Sequence, residues 1–498
     1  VNIAREADAL VATLMATPWG QVSASIYETG RLVTLAPWLT GHRERVEYLL
    51  KTQRPDGSWG APDGYGLVPT LSATEALLAA GSTEAAHRGL AALRERLPHA
   101  GELPDMPAVD LIVPSLVALI NAHGAGEPLP LPPGLDYSRV ERVRRVVASG
   151  AELPEKLLHA LEVAGLTAGG AQSVRPTLIG TIGASPAATA AWLGSGPPSD
   201  ADSARSHLEA VVTRYGGPVP VGLPITVFER GWVLSWLARA GIPAEVPPEM
   251  VADLRAAIGP AGTPAGPGLP ADADTTSVAL HALALHGMAR DPESLLAFDA
   301  GTHFCTWQGE DGFSISVNAH VLDAFGAYAA TRADRAGAYA EVRERLAGLL
   351  AERQRQDGSW DDRWHASPYY ATLSCVLALG EYGGPGRAPA VARAREWVVG
   401  TQRPDGSWGR WEGTPEETAY AVQALLLPEA AAGRRVGERF ERAAVRGHEF
   451  LQRTGGMADY PPLWHDKDLY TPIAVVRAAI LAARHLATNL IQTGQIRT

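Results

Sequence analysis

"QRPDGSWG" occupies residues 53–60 and returns unchanged at 402–409, with a near copy, "QRQDGSW", at 354–360. Each copy closes a helical run. Gln53, Gln354 and Gln402 stand at the end of the run, and the Asp-Gly that follows turns the chain tightly because Gly tolerates positive φ. Trp59, Trp360 and Trp408 come two residues beyond each Gly. A Gln amide there bonds neighbouring backbone while an indole packs over it, so the phrase reads as a clasp between consecutive helices. "WQGEDGFS" at 307–314 reads as a worn fourth copy with Phe313 in the Trp position. The copies lie on both sides of a Pro- and Gly-rich stretch at 242–270, which implies two units of similar design.

The rest of the chain agrees with a helical protein. Segments such as "LPEKLLHALEVAG", "SVALHALALHGMA" and "TPIAVVRAAILAARHLA" repeat apolar residues at helix spacing, and strand signals are few. At 498 residues, two domains are expected. A net charge of −11 argues against a nucleic-acid partner, which needs a basic face. Cys305 and Cys375 are the only cysteines, which gives no disulfide framework and no zinc site and suits a reducing, cytoplasmic setting. No signal segment opens the sequence. The most apolar run, 111–126, is interrupted by Pro114, Asn121 and His123, so it reads as buried helix and no stable membrane anchor is expected.

The Gln-to-Trp phrase resembles the QW motif of triterpene and class II diterpene cyclases. "SIYETG" (25–30), "SPAATAAWL" (185–193), "NAHVLDAF" (318–325), "DRWHASPYYAT" (362–372), "EETAYAVQAL" (416–425) and "KDLYTPIAVVRAA" (467–479) are similar to segments of bacterial class II terpene cyclases. The resemblance implies an all-α fold of two α-helical barrels, β and γ, with no α domain. It would place the γ barrel at 43–247, and the β barrel at 1–42 plus 248–498.

The chemistry is expected in "LPADADTTS" at 269–277. Read alone, Asp272 and Asp274 are helix N-terminal residues that cap amides and oppose the dipole. Within the resemblance they match the D-x-D-D acid of class II cyclases, whose middle carboxyl, here Asp274, protonates an alkene. Burial and neighbouring carboxylates keep a proton on such a site. Asn318 matches the family Asn thought to hold the acid. The last Asp of the motif is Thr275 here. This D-x-D-T-T variant resembles bacterial drimenyl diphosphate synthases, which cyclise farnesyl diphosphate. The copalyl type, acting on geranylgeranyl diphosphate, usually keeps D-x-D-D.

His159, in "LPEKLLHALE", matches a His that helps position a basic water, but Val221 stands where the family pairs it with Asn. Aromatic faces stabilise cations in transit, and Trp307, Trp364, Tyr369, Tyr370, Trp411, Tyr420, Trp464 and Tyr470 are candidates. The diphosphate is retained in this class and needs counter-ions. Mg²⁺ on Glu102 and Asp105 is expected from an eroded acidic motif, with Arg142, Arg144, Arg145 and Lys467 as candidate phosphate partners. The partner is thus an isoprenoid diphosphate. The expected product is a bicyclic drimenyl-type diphosphate, with copalyl-type cyclisation, a squalene-hopene-type cyclase and a non-catalytic helical scaffold as the alternatives. Oligomeric state, stereochemistry and product double-bond position are not written in the sequence.

Overall fold

Inner helices of a double-layered barrel must be apolar on every side, because neighbours surround them. The helix Ile315–Thr331 meets that demand, with every residue from Ile315 to Ala329 buried. In the computed structural model, which describes residues 3–492 apart from 195, 197, 198, 200, 201, 336, 432, 434 and 455–458, it is one of six helices that close a ring. The order is Thr226–Arg239, Ala273–Leu285, Ile315–Thr331, Pro368–Tyr382, Pro415–Ala431 and Ile473–Gln492, the last packing back on the first. Amphipathic helices such as Ala340–Glu352, Ala388–Gly400 and Glu438–Arg453 lie outside it, and Ile3–Ala16 packs against Ile473–Gln492.

A second, smaller ring runs through Ile26–Leu35, Leu67–Ala79, Val109–Ala122, the 3-10 segment Glu155–Ala168 and Pro186–Leu193, which packs back on Ile26–Leu35. The all-α double-barrel architecture is therefore as expected. The domain edges differ. Ile26–Leu35 contributes Leu32 to the second core, and Thr226–Arg239 contributes Trp232 to the first. The chain crosses between units where Ala24 bridges Pro220, not at 42/43 and 247/248. The Pro- and Gly-rich stretch brackets the outer helix Pro248–Ala257 and leads into the first ring's second inner helix, so its composition marks a loop inside one domain.

Three clasps share one geometry. The amides of Gln53, Gln354 and Gln402 each donate to two carbonyls at 2.8–3.0 Å, one in their own turn and one on the second helix along, so the clasp ties one outer helix to the next outer helix rather than consecutive helices. The indole N–H of Trp59, Trp360 and Trp408 donates to the carbonyl ten residues earlier. Gly358 has φ +98°, and a Cβ there would stand 2.6 Å from the Arg393 carbonyl oxygen. The worn copy is not a clasp. Its positive φ falls on Gly309, Phe313 lies against His303 and Arg353, and Trp307 is released to another task.

Two short strands, Trp464–His465 and Leu469–Tyr470, pair antiparallel and form a hairpin that reaches the second ring. Ile473–Gln492, rather than 111–126, is the described helix long and apolar enough to cross a membrane, yet 67% of its apolar window is buried inside the protein as ring wall.

Candidate active site

The loops entering the inner helices of both rings enclose a cavity of about 1050 Å³. Asp272, Asp274, Phe228, Trp464 and Tyr470 line one end, Trp307 and Trp364 its waist, and Arg139, Arg142, Lys156 and Arg363 its charged mouth.

The acid end is built at a helix start. Asp272 caps Ala273–Leu285, its Oδ1 accepting from the Thr275 N–H at 2.6 Å and its Oδ2 from the Ala265 N–H at 3.1 Å. Burial pushes its pKa up to about 7 against those hydrogen bonds, with the Asp274 charge adding to the rise. Asp274, in the first turn, faces the cavity, and its Oδ1 lies 2.6 Å from His320 Nδ1. Burial alone would strip His320 of charge, but Asp274 beside it outweighs burial and raises the imidazole pKa. The helix N-terminus and the imidazolium both stabilise the carboxylate that remains after proton transfer. A proton held between Asp274 and His320, beside an Asp272 whose pKa burial has raised, is a proton source set in an apolar wall.

His320 is the partner that sequence reasoning missed, although "NAH" contains it. Asn318 points elsewhere: its carbonyl accepts from Phe304 N–H, and its amide donates to the Phe304 and Ser314 carbonyls. It fastens the loop beside the acid. Two residues along a helix lie on opposite sides, so only one of the pair can reach Asp274. Thr275 lines the cavity and supplies the backbone N–H that Asp272 accepts.

Aromatic residues surround the acid. Phe228 and Trp232 lie 4.2 Å apart between centroids, and Trp464 and Tyr370 4.8 Å. Buried Glu416 accepts from the Trp464 indole and the Tyr420 hydroxyl, both at 2.8 Å, which fixes the Trp464 plane. At the waist Trp307 and Trp364 meet edge to face at 5.3 Å. Four expected aromatic positions lie outside the lining. Tyr370 packs on Trp464 and accepts from the Trp232 indole, Tyr420 stands behind Trp464, Tyr369 packs on Trp397, and Trp411 donates to Asp63 at the rim of the domain contact. Phe228 and Trp232, which the sequence reading passed over, belong to the helix assigned there to the other domain.

His159 lines the cavity from the second ring. Its Nδ1 is 2.6 Å from the Gly183 carbonyl oxygen, and its Nε2 is 2.7 Å from Asp466 Oδ1 on the hairpin. Burial opposes its charge and Asp466 outweighs that, so its pKa is raised; burial would raise Asp466, and His159 holds it down instead. Val221 is core, so Asp466 fills the partner position that the sequence left empty.

Lys467 is not at the mouth. It is fully buried, with Nζ 2.5 Å from Glu28, 2.9 Å from Glu162, and 2.8 Å from both Ser185 Oγ and the His159 carbonyl. Asp468 accepts from Ser25 Oγ and Tyr27 N–H. "SIYETG" and "KDLY" therefore meet as a polar lock between domains.

The mouth carries paired charges. Arg363 binds Asp105 at 3.2 Å and Lys156 binds Glu310 at 3.1 Å, both across the domain boundary, and Arg139 binds Asp110. Arg142 lines the same wall, whereas Arg144 donates to the Val163 carbonyl. Glu102 and Asp105 stand at this rim. Among the described residues no three acidic, His or Cys side chains converge as a metal cage. One or two carboxylates fit Mg²⁺ only in company with phosphate oxygens.

A carboxylic acid facing an aromatic, water-excluding chamber, with cations at its far end and two helical barrels around it, defines a class: cyclases that begin by protonating an alkene. Residues 310–468 match the squalene-hopene cyclase C-terminal domain. The chain is 44% identical to an ent-copalyl diphosphate synthase of Streptomyces sp. (strain KO-3988), over 95% of this chain and 94% of that one. It is 41% identical to a copalyl diphosphate synthase of Streptomyces cyslabdanicus, over 98% of this chain and 95% of that one. The solved ent-copalyl diphosphate synthase from Streptomyces platensis superposes with a TM-score of 0.93 at 44% identity, covering 98% of this chain and 100% of that one. The chain belongs to the bacterial class II terpene cyclases.

Proposed function

We propose that this chain cyclises geranylgeranyl diphosphate to a bicyclic, copalyl-type diphosphate without releasing the diphosphate. Asp274 gives its proton to the terminal alkene, and His320 stabilises the carboxylate left behind. Two rings close inside the aromatic chamber, and loss of a proton ends the reaction. Arg142, Lys156 and Arg363 hold the diphosphate. Mg²⁺ would enter with it on Glu102 and Asp105, supplying charge neutralisation at the phosphate oxygens. Cys305 and Cys375, both buried thiols, suit the cytoplasm as the site of action.

The observation that carries this reading is that Asp274 lines one cavity together with Arg142, Lys156 and Arg363, with 44% identity to an ent-copalyl diphosphate synthase across 95% of the chain beside it. The expectation of a C15 substrate rests on Thr275 alone. A cavity of about 1050 Å³ is at the large end for ligand sites and admits either chain. Selectivity comes from the distance between acid and anchor. Five carbons at about 0.8 kcal/mol per buried methylene amount to about 4 kcal/mol, roughly a thousandfold preference. Equal concentrations of farnesyl and geranylgeranyl diphosphate, followed by dephosphorylation and mass analysis, test the assignment. Geranylgeranyl diphosphate is expected to be consumed first. Dominant conversion of the C15 substrate to a drimenyl-type product would overturn the C20 reading and keep the class.

A further inference from the structure

A cyclisation begun by a proton must shed one, and the wall of the cavity offers few groups to take it. His159 is not among them. The Gly183 carbonyl can only accept, so Nδ1 carries hydrogen, and Nε2 is occupied by Asp466. No lone pair on the ring is free. Glu310 is bound to Lys156 and the Trp307 N–H, Asp105 to Arg363, and Asp110 to Arg139. Both oxygens of Asp272 accept backbone N–H groups. His465 lines the cavity too, but its Nε2, without a partner, is itself buried, and its ring lies against Tyr65.

Asp466 remains. Its Oδ1 faces His159 Nε2 and accepts the Lys467 N–H at 2.6 Å. Its Oδ2 has no partner among the described residues, and the side chain, one-fifth exposed, lines the cavity. Asp466 follows the strand Trp464–His465 in the hairpin's turn and lines the cavity together with Trp464, Tyr470 and Asp274.

We propose that Asp466 is the catalytic base that ends the reaction, with His159 as its positioning residue; this rests on the class II reading above. The C–H bond next to the last cation breaks, its electron pair becomes the new C=C bond, and the proton goes to Asp466 Oδ2. Asp466 then releases it to water through the mouth, and Asp274 takes up another, so substrate and product are isomers. The ion pair with His159 keeps Asp466 ionised and aimed. A cation so acidic needs only a weak base.

The test compares wild type, Asp466→Asn, Asp466→Glu and Asp274→Asn on both prenyl diphosphates, scoring substrate consumed and product identity separately, with melting curves for each. Asp466→Asn is expected to lower alkene formation about 100-fold and to divert product to hydroxylated bicycles. Asp466→Glu is expected to keep turnover and change the double-bond ratio. Asp274→Asn should give no cyclised product at all. Wild-type alkene at wild-type rate from Asp466→Asn would overturn the proposal. Should Asp466→Asn not fold, an unchanged rate and ratio in Asp466→Glu would overturn it. A wild type that cyclises neither substrate would remove the class II reading and this proposal together.

Discussion

Replacing Lys467 by Met separates an anchor from a lock. In the wild type one ammonium meets Glu28 at 2.5 Å and Glu162 at 2.9 Å, with Ser185 and the His159 carbonyl completing its shell, and none of it reaches solvent. Removing one partner of a buried ion pair costs about 3–5 kcal/mol because the remaining charge is stranded. At about 1–2 °C per kcal/mol for a protein of this size, this is a fall in melting temperature of roughly 3–10 °C. The loss depends on pH. Burial, opposed by Lys467, raises Glu28 from 4.5 to about 7. A carboxyl raised on folding costs stability as pH climbs from its unfolded value through its folded one. Without Lys467 the folded value rises further. The deficit is then small near pH 5 and continues to grow above pH 7. Calorimetry of wild type and Lys467→Met at pH 5 and pH 8, with limited proteolysis at the domain crossings, reads this directly. A variant melting within about 1 °C of wild type at pH 8 would refute the lock. One that melts normally but loses affinity for prenyl diphosphates would restore Lys467 as the phosphate anchor.

Asp274→Asn should lower cyclisation by at least about 100-fold with an unchanged melt, because among the described contacts its side chain bonds only His320; near wild-type turnover would end its role as the acid. Gly358→Ala should destabilise by more than about 1–2 kcal/mol, since φ is +98° and the new Cβ meets the Arg393 carbonyl oxygen at 2.6 Å; a denaturant titration with an unshifted midpoint contradicts this. Chelating Mg²⁺ should raise KM for the prenyl diphosphate with no inorganic pyrophosphate at any metal level, and stoichiometric pyrophosphate would show a different reaction class.

The clasps made the fold legible because most of their contacts are local: the turn and the indole bond backbone within ten residues, and only the second Gln contact reaches further, to the next outer helix. Asp272 and Asp274 were legible for the same reason, being adjacent in the chain. The partners of the site were not. Asp466 reaches His159 and Lys467 reaches Glu28 only through the hairpin's dive between domains, and no spacing rule encodes contacts so remote in sequence. Asn318 and His320 show the limit at short range, since a motif gives both residues and only helical phase decides which faces the acid. Composition misled at 242–270, where Pro and Gly shape a loop inside one domain; the crossing near 220, in "GGPVPVGLP", is as rich in both and was passed over.

The ring that holds the acid is closed by the two extremes of the described chain: Glu6 pairs with Arg484 at 2.8 Å, and Ala7, Leu10, Val11 and Leu14 pack into the core that Ile473–Gln492 completes. This imposes an order on biosynthesis. The smaller barrel has all its strands of chain by about residue 220 and can fold while the ribosome is still working. Ile3–Ala16 is made long before Ile473–Gln492 and must wait for it with that part of its apolar stripe uncovered. At about 5–20 residues per second that wait is on the order of 25 to 95 seconds. Through much of it the helix stands without this partner beside a smaller barrel whose residues are all already made.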